Sequence, residues 1–144
     1  MTTTLEDIRT AVHALAARLP GAGRAELVGF HPRDGAHPYV EVHGRTLHWV
    51  LVDQGRELRR RTTTSLDELL YWITLDATGP PARRREREQR GRLPADRDPG
   101  IGRLAHQLDL LRGLDPRWAA RFRAELPTLH PGVSAADVDA HPLG

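Results

Sequence analysis

In 144 residues the chain has no cysteine and no lysine. The missing thiol excludes disulfide scaffolds, thiolate metal clusters and cysteine nucleophiles, and it suits a chain kept in a reducing compartment. The missing lysine makes every one of the 21 basic side chains an arginine, set against 19 acids for a formal charge of only +2. A sequence pI near 9.9 therefore overstates how basic the molecule is. Aromatics make up 5% of the chain, and serine occurs only at Ser65 and Ser134. No stretch approaches the roughly 18 to 20 consecutive apolar residues of a membrane span. The opening Met1-Thr2-Thr3-Thr4-Leu5-Glu6-Asp7 lacks the basic start and apolar core of an export signal. The expectation is a soluble, cytoplasmic chain with no membrane partner. Its apolar content of 39% is enough for one globular domain and too high for disorder.

The search for chemistry returns little. Neither serine stands in a nucleophile elbow, and Gly100-Ile101-Gly102 lacks the third glycine and the preceding strand of a dinucleotide fingerprint. Eight histidines include His43 and His48, close enough to approach across a hairpin, but no pair has helical metal-ligand spacing. No cofactor, no metal and no catalytic residue are expected. Asp96 and Asp98, with Glu86 and Glu88, form the only carboxylate group worth weighing for acid–base work, and nothing in the sequence gives it a cleft that would shift its pKa values. Two arginine-dense stretches, at 56–61 and 83–92, raise a nucleic-acid-binding alternative through Arg59, Arg60, Arg61, Arg83, Arg84 and Arg85. Glu86 with Arg90 and Glu88 with Arg92 weaken it, because each pair has the acid-first spacing of four that favours pairing along a helix.

Periodicity predicts an α+β fold. Leu5, Ile8, Val12, Leu15 and Leu19 mark an N-terminal helix, with Thr3 or Thr4 as its cap, ended by Pro20-Gly21. The period then changes to two. Residues 25–30, 39–43, 46–52 and 57–63 read as a three- to four-stranded antiparallel meander, with turns at Gly44 and at Asp53-Gln54-Gly55. Ser65-Leu66-Asp67-Glu68 is a capping box opening a helix whose Leu66, Leu69, Leu70 and Ile73 face inward. Gly79-Pro80-Pro81 interrupts it. A helix from Ile101 to Leu114 and another after Asp115-Pro116 follow, the second stopped by Pro127 near Leu126. The C-terminal helices are expected to pack on the meander in a single domain over residues 1–130, with 131–144 as a tail.

Two polar residues interrupt apolar rows. Tyr71 lies on the polar stripe of the first C-terminal helix and Gln107 in an apolar row of the next, which predicts a structural polar network. The proline- and glycine-rich stretch from Gly91 to Gly102, with Asp96, Arg97 and Asp98, reads as a partner-recognition loop, and Arg85 and Glu86 lead into it.

Leu66-Asp67-Glu68-Leu69-Leu70-Tyr71-Trp72-Ile73, then Thr78, Ala82 and Glu86, then the acid–arginine pair at Asp96-Arg97 or Asp98, then Gln107, Leu110-Leu111, Leu114 and Trp118 together resemble the Immunity protein 63 family of bacterial polymorphic toxin systems. The resemblance covers roughly residues 64–131. It departs from the family pattern at Arg85 and Leu104, where aromatics are expected. It implies a small cytoplasmic antidote that binds and neutralises a cognate protein toxin by occluding or locking it, without catalysis.

Overall fold

The structure, a computed structural model, describes residues 2–21, 27–32, 35–92 and 98–143. It is α+β: α1 (Leu5–Arg18), β1 (His37–His43), β2 (Thr46–Asp53), β3 (Arg56–Thr63), α2 (Leu66–Ala77), α3 (Gly79–Gln89), α4 (Pro99–Leu114), α5 (Pro116–Leu129) and α6 (Ala135–Ala140). Contacts within the chain divide it into two compact units, residues 1–18 with 22–77, and residues 19–21 with 78–144.

In the first unit, α1 opens with a reciprocal capping box: Asp7 N–H donates to Thr4 Oγ1 and Thr4 N–H to Asp7 Oδ2. Bonds from the Thr4 backbone and hydroxyl hold the Asp7 carboxyl below its ordinary pKa. Ile8, Val12 and Leu15 are its buried stripe. The three strands form an antiparallel sheet in the order β1-β2-β3. Residues 27–30, expected as part of a strand, contribute only a single parallel bridge, in which Gly29 exchanges hydrogen bonds with Pro38 and Val40. Residues 22–26 lie outside the described residues. The β2–β3 turn places Gln54 and Gly55 at positive φ (52° and 74°), the twist-matched geometry of a two-residue hairpin. The β2–β3 register slips between Leu51 and Val52, leaving Leu58 as an extra, exposed residue in a bulge. Ser65 Oγ caps α2 by accepting from Glu68 N–H, while Thr63 Oγ1 takes the Ser65 N–H that a full capping box would assign to the glutamate. Helix α2 packs on β2 and β3, and α1 on α2.

In the second unit, α4 is central, touching α3, α5 and α6. Two corrections to the sequence reading fall here. Helix α5 continues past Pro127 to Leu129, because a proline in the last turn removes only one ladder bond and the His130 N–H still reaches the Leu126 carbonyl. The expected tail over 131–144 contains α6, capped by Ser134 Oγ on Asp137 N–H, with Val138 and His141 buried. One valine and one bidentate ion pair, Arg123 to Asp139 at 2.6 and 2.7 Å, hold that short helix, which is too little apolar content to register as periodicity.

Candidate functional site

The arginine–glutamate segment is a helix. Pro80 and Pro81 occupy its first turn, where a missing N–H costs nothing. At helical spacing Arg83, Arg87 and Arg90 share one stripe, with Glu86 beside them. Glu86 is 5% exposed, and Arg90 holds both its oxygens with bonds of 2.7 and 2.8 Å. The neighbouring helix comes close at that point because residue 102 is glycine: a β-carbon there would stand 3.2 Å from Glu86 Cγ. The stripe and the first turn of α4 enclose a pocket of about 200 Å³, lined by Arg83, Arg87, Arg90 and Arg103 together with Glu86, Pro99 and Gly100. The amide of Gly100 is already used by the Asp98 carboxylate that caps α4, at 2.9 Å. The field of Arg103 reaches His130, whose pKa is lowered first by burial and then by that charge.

A second polar constellation stands on the first unit's sheet. Alternation along β3 sends Arg59 and Arg61 to one face and Arg60 to the other. Arg61 lies over the rings of Trp49 and Trp72, at 5.7 and 5.6 Å from their centroids. Arg60 donates to Glu57 Oε1 (2.6 and 3.0 Å), His48 Nδ1 (2.8 Å) and Glu41 Oε2 (3.3 Å). His43 also meets Glu41, at 2.9 Å, and its ring stands edge-on to His48 with centroids 4.6 Å apart. The bond from His43, followed by that from Arg60, keeps the Glu41 carboxyl below its ordinary pKa. Burial, then the charges of His43 and Arg60, lowers that of His48. Among the described residues no group of three or more histidine, aspartate or glutamate side chains could hold a metal ion.

The residues singled out from the sequence separate. Glu86 lines the pocket, whereas Arg85 points to Asp109 of α4 at 3.2 Å and is ion-paired there. Asp98 caps α4. Asp96 and Arg97 lie outside the described residues. Gln107 Nε2 donates to Thr78 Oγ1 at 3.1 Å inside the second unit, and Tyr71, 1% exposed, belongs to the first. Sequence reasoning did not single out Arg87 or Arg103. The i, i+4, i+7 spacing of Arg83, Arg87 and Arg90 was a readable signal for the first. For Arg103 there was none, since only the packing of α4 on α3 brings it to the same pocket.

No helix among the described residues is long and apolar enough to cross a membrane. No curated protein and no solved structure matches the chain. A family model described as Immunity protein 63 matches residues 43–128, from the end of β1 through β2, β3 and helices α2 to α4 into the last turn of α5. The match therefore begins some twenty residues earlier than the motifs quoted from the sequence, and takes in the two arginine-bearing segments. With well over half of its 144 residues matched, the chain belongs to the Immunity protein 63 family.

Proposed function

We propose that this chain is a cytoplasmic antidote that neutralises a cognate protein toxin by binding to it, occluding or locking the toxin and catalysing nothing. The family match over residues 43–128 is the observation that carries this reading. The physics of such inhibition asks for little else. A stable interface buries about 1,200 to 2,000 Å² in total, about 800 Å² from each partner. That is roughly a tenth of the 8,310 Å² surface of this chain. Charged side chains at an interface rim steer association and select the partner, and arginine is the basic residue best suited to the task, because its planar fork matches carboxylates two bonds at a time.

The test is a titration. Toxin encoded beside this chain's reading frame is produced with and without it in a co-expression host, and the purified toxin is then assayed against increasing amounts of the chain. A linear loss of toxin activity that reaches zero near one chain per toxin, with a complex that co-elutes, is the expected result. Full, time-dependent inactivation by a small fraction of an equivalent would indicate an enzyme instead, and no protection at any ratio would remove the antidote reading.

A further inference from the structure

The pocket between α3 and α4 carries an imbalance of charge. Four arginine side chains line it, the Arg83 guanidinium lying back toward Gly79, and Glu86 is the only carboxylate among the described residues that lines it. Arg90 engages both oxygens of Glu86, so that pair is complete. Arg83 and Arg87 are exposed, Arg103 is half-buried, and all three line the pocket without a carboxylate partner among the described residues. Like charges gathered around one cavity focus a positive potential there, which favours an anion. We propose that this pocket is the seat for an acidic side chain of the toxin, an aspartate or glutamate carboxylate held by Arg83, Arg87 and Arg103. The inference rests on the reading of the chain as a toxin-binding protein and names the chemistry of its contact.

Size and surroundings choose this ligand over other anions. Small-molecule and cofactor sites occupy about 300 to 1,000 Å³, and a pocket of about 200 Å³ is too small for a nucleotide and ample for one carboxylate. The first-turn amide of α4 that would otherwise cradle a phosphate is taken up by Asp98. A nucleic-acid backbone needs a continuous basic track. Here the adjacent Arg85 is neutralised by Asp109 across the same helix pair, which interrupts such a track along α3. Guanidinium groups bind carboxylates through charge-assisted pairs, stronger than neutral hydrogen bonds and selective in geometry.

The experiment has two arms. In the first, toxin affinity is measured by calorimetry for the native chain and for Arg87→Ala, Arg103→Ala and the double variant, with thermal unfolding of each. Neither side chain is hydrogen-bonded or ion-paired to another among the described residues, so unfolding should be no easier, and relief of like-charge repulsion should raise stability slightly if at all. Each single loss should weaken binding about tenfold or more, the effect of one hydrogen bond to a charged group. Native affinity in the double variant would overturn the proposal while leaving the antidote reading intact. The second arm needs no toxin. Acetylated, amidated tetraglutamate is titrated into the native chain while the arginine Nε–H signals are followed by NMR, alongside inorganic phosphate and a twelve-nucleotide single strand. Saturable shifts at Arg83, Arg87 and Arg103 with the peptide are expected. Absence of shifts, or tighter binding of phosphate or the oligonucleotide, would overturn it. Failure of the native chain to bind toxin at all would instead sink the antidote reading, and the peptide arm would still decide whether the pocket takes carboxylates.

Discussion

At the scale of single residues, the arginines of this chain do three different jobs. Arg61 spreads over two indole rings, Arg90 completes a buried glutamate, and Arg87 and Arg103 face a cavity. The same charge on the same side chain thus packs, pairs or waits for a ligand according to what its neighbours provide. Gln107 illustrates the opposite economy, a neutral group buried for its hydrogen bond. Its amide donates to Thr78, which is fully buried at the junction before α3. Replacing it with leucine keeps the volume and removes the donor, which should lower unfolding free energy by about 1 to 2 kcal/mol in urea denaturation. Toxin affinity should not change. A variant with native stability and lost protection would place Gln107 on the partner surface.

At the scale of elements, helix ends determine where the chain turns. Asp115 closes α4 with its own N–H to the Leu111 carbonyl and opens α5 by accepting from Arg117 N–H at 2.9 Å. The Arg117 side chain returns to the same carboxylate, which is held below its ordinary pKa mainly by that bond. Asp115→Ala should destabilise the protein by about 1 kcal/mol, the usual loss of a side-chain N-cap. Asp115→Asn, which keeps the acceptor, should recover most of that in the same thermal melts. Equal losses for the two variants would assign the effect to the ion pair with Arg117 and not to the cap. In the sheet, β3 occupies an edge, and its run of charged side chains and its bulge at Leu58 are devices that discourage strand addition by a second molecule.

At the scale of the whole molecule, the near-balance of 21 bases and 19 acids holds only near neutrality, so acidification acts through local shifts and through the growing repulsion of the uncompensated arginines and histidines. The carboxyls of Glu41, Glu57, Asp115 and Asp139 all titrate below their ordinary values, each principally through a hydrogen bond from histidine or arginine. Their contribution is complete above the unfolded carboxyl pKa and is lost as pH falls through the lower folded values. His48 and His130 are lowered as well, mainly by burial, so the unfolded chain takes up those protons first when pH falls below about 6.5. Both sets have the same sign. Stability should therefore decline on acidification in two stages, the first below about pH 6.5 and the second below about pH 4. Urea midpoints at pH 7.5, 5.5 and 3.5 check this, and His48→Gln should reduce the first stage. A midpoint unchanged between pH 7.5 and 5.5 would contradict the assignment to histidine.

By itself the sequence determined the order and kind of most elements: an α1 cap at Thr3 or Thr4, a meander of three to four strands, the Ser65 cap of α2 and the Asp115-Pro116 restart. These are legible because caps, turns and periodicity act over three to five residues, within the reach of one segment. The family was legible too, since its motif runs along the helices in fixed spacing. Tertiary structure alone decided the rest. Residues 27–30 are a single bridge because their hydrogen bonds depend on where β1 lies. Residues 135–140, capped locally by Ser134, are held as a helix where Val138 is buried and Asp139 meets Arg123, sixteen residues away. The pocket exists because Gly102 lets α4 close on Glu86 and carries Arg103 to the arginine stripe of α3. Each of these is a contact between groups far apart in the chain, and burial, charge neutralisation and close approach are properties of the folded neighbourhood that no local pattern encodes.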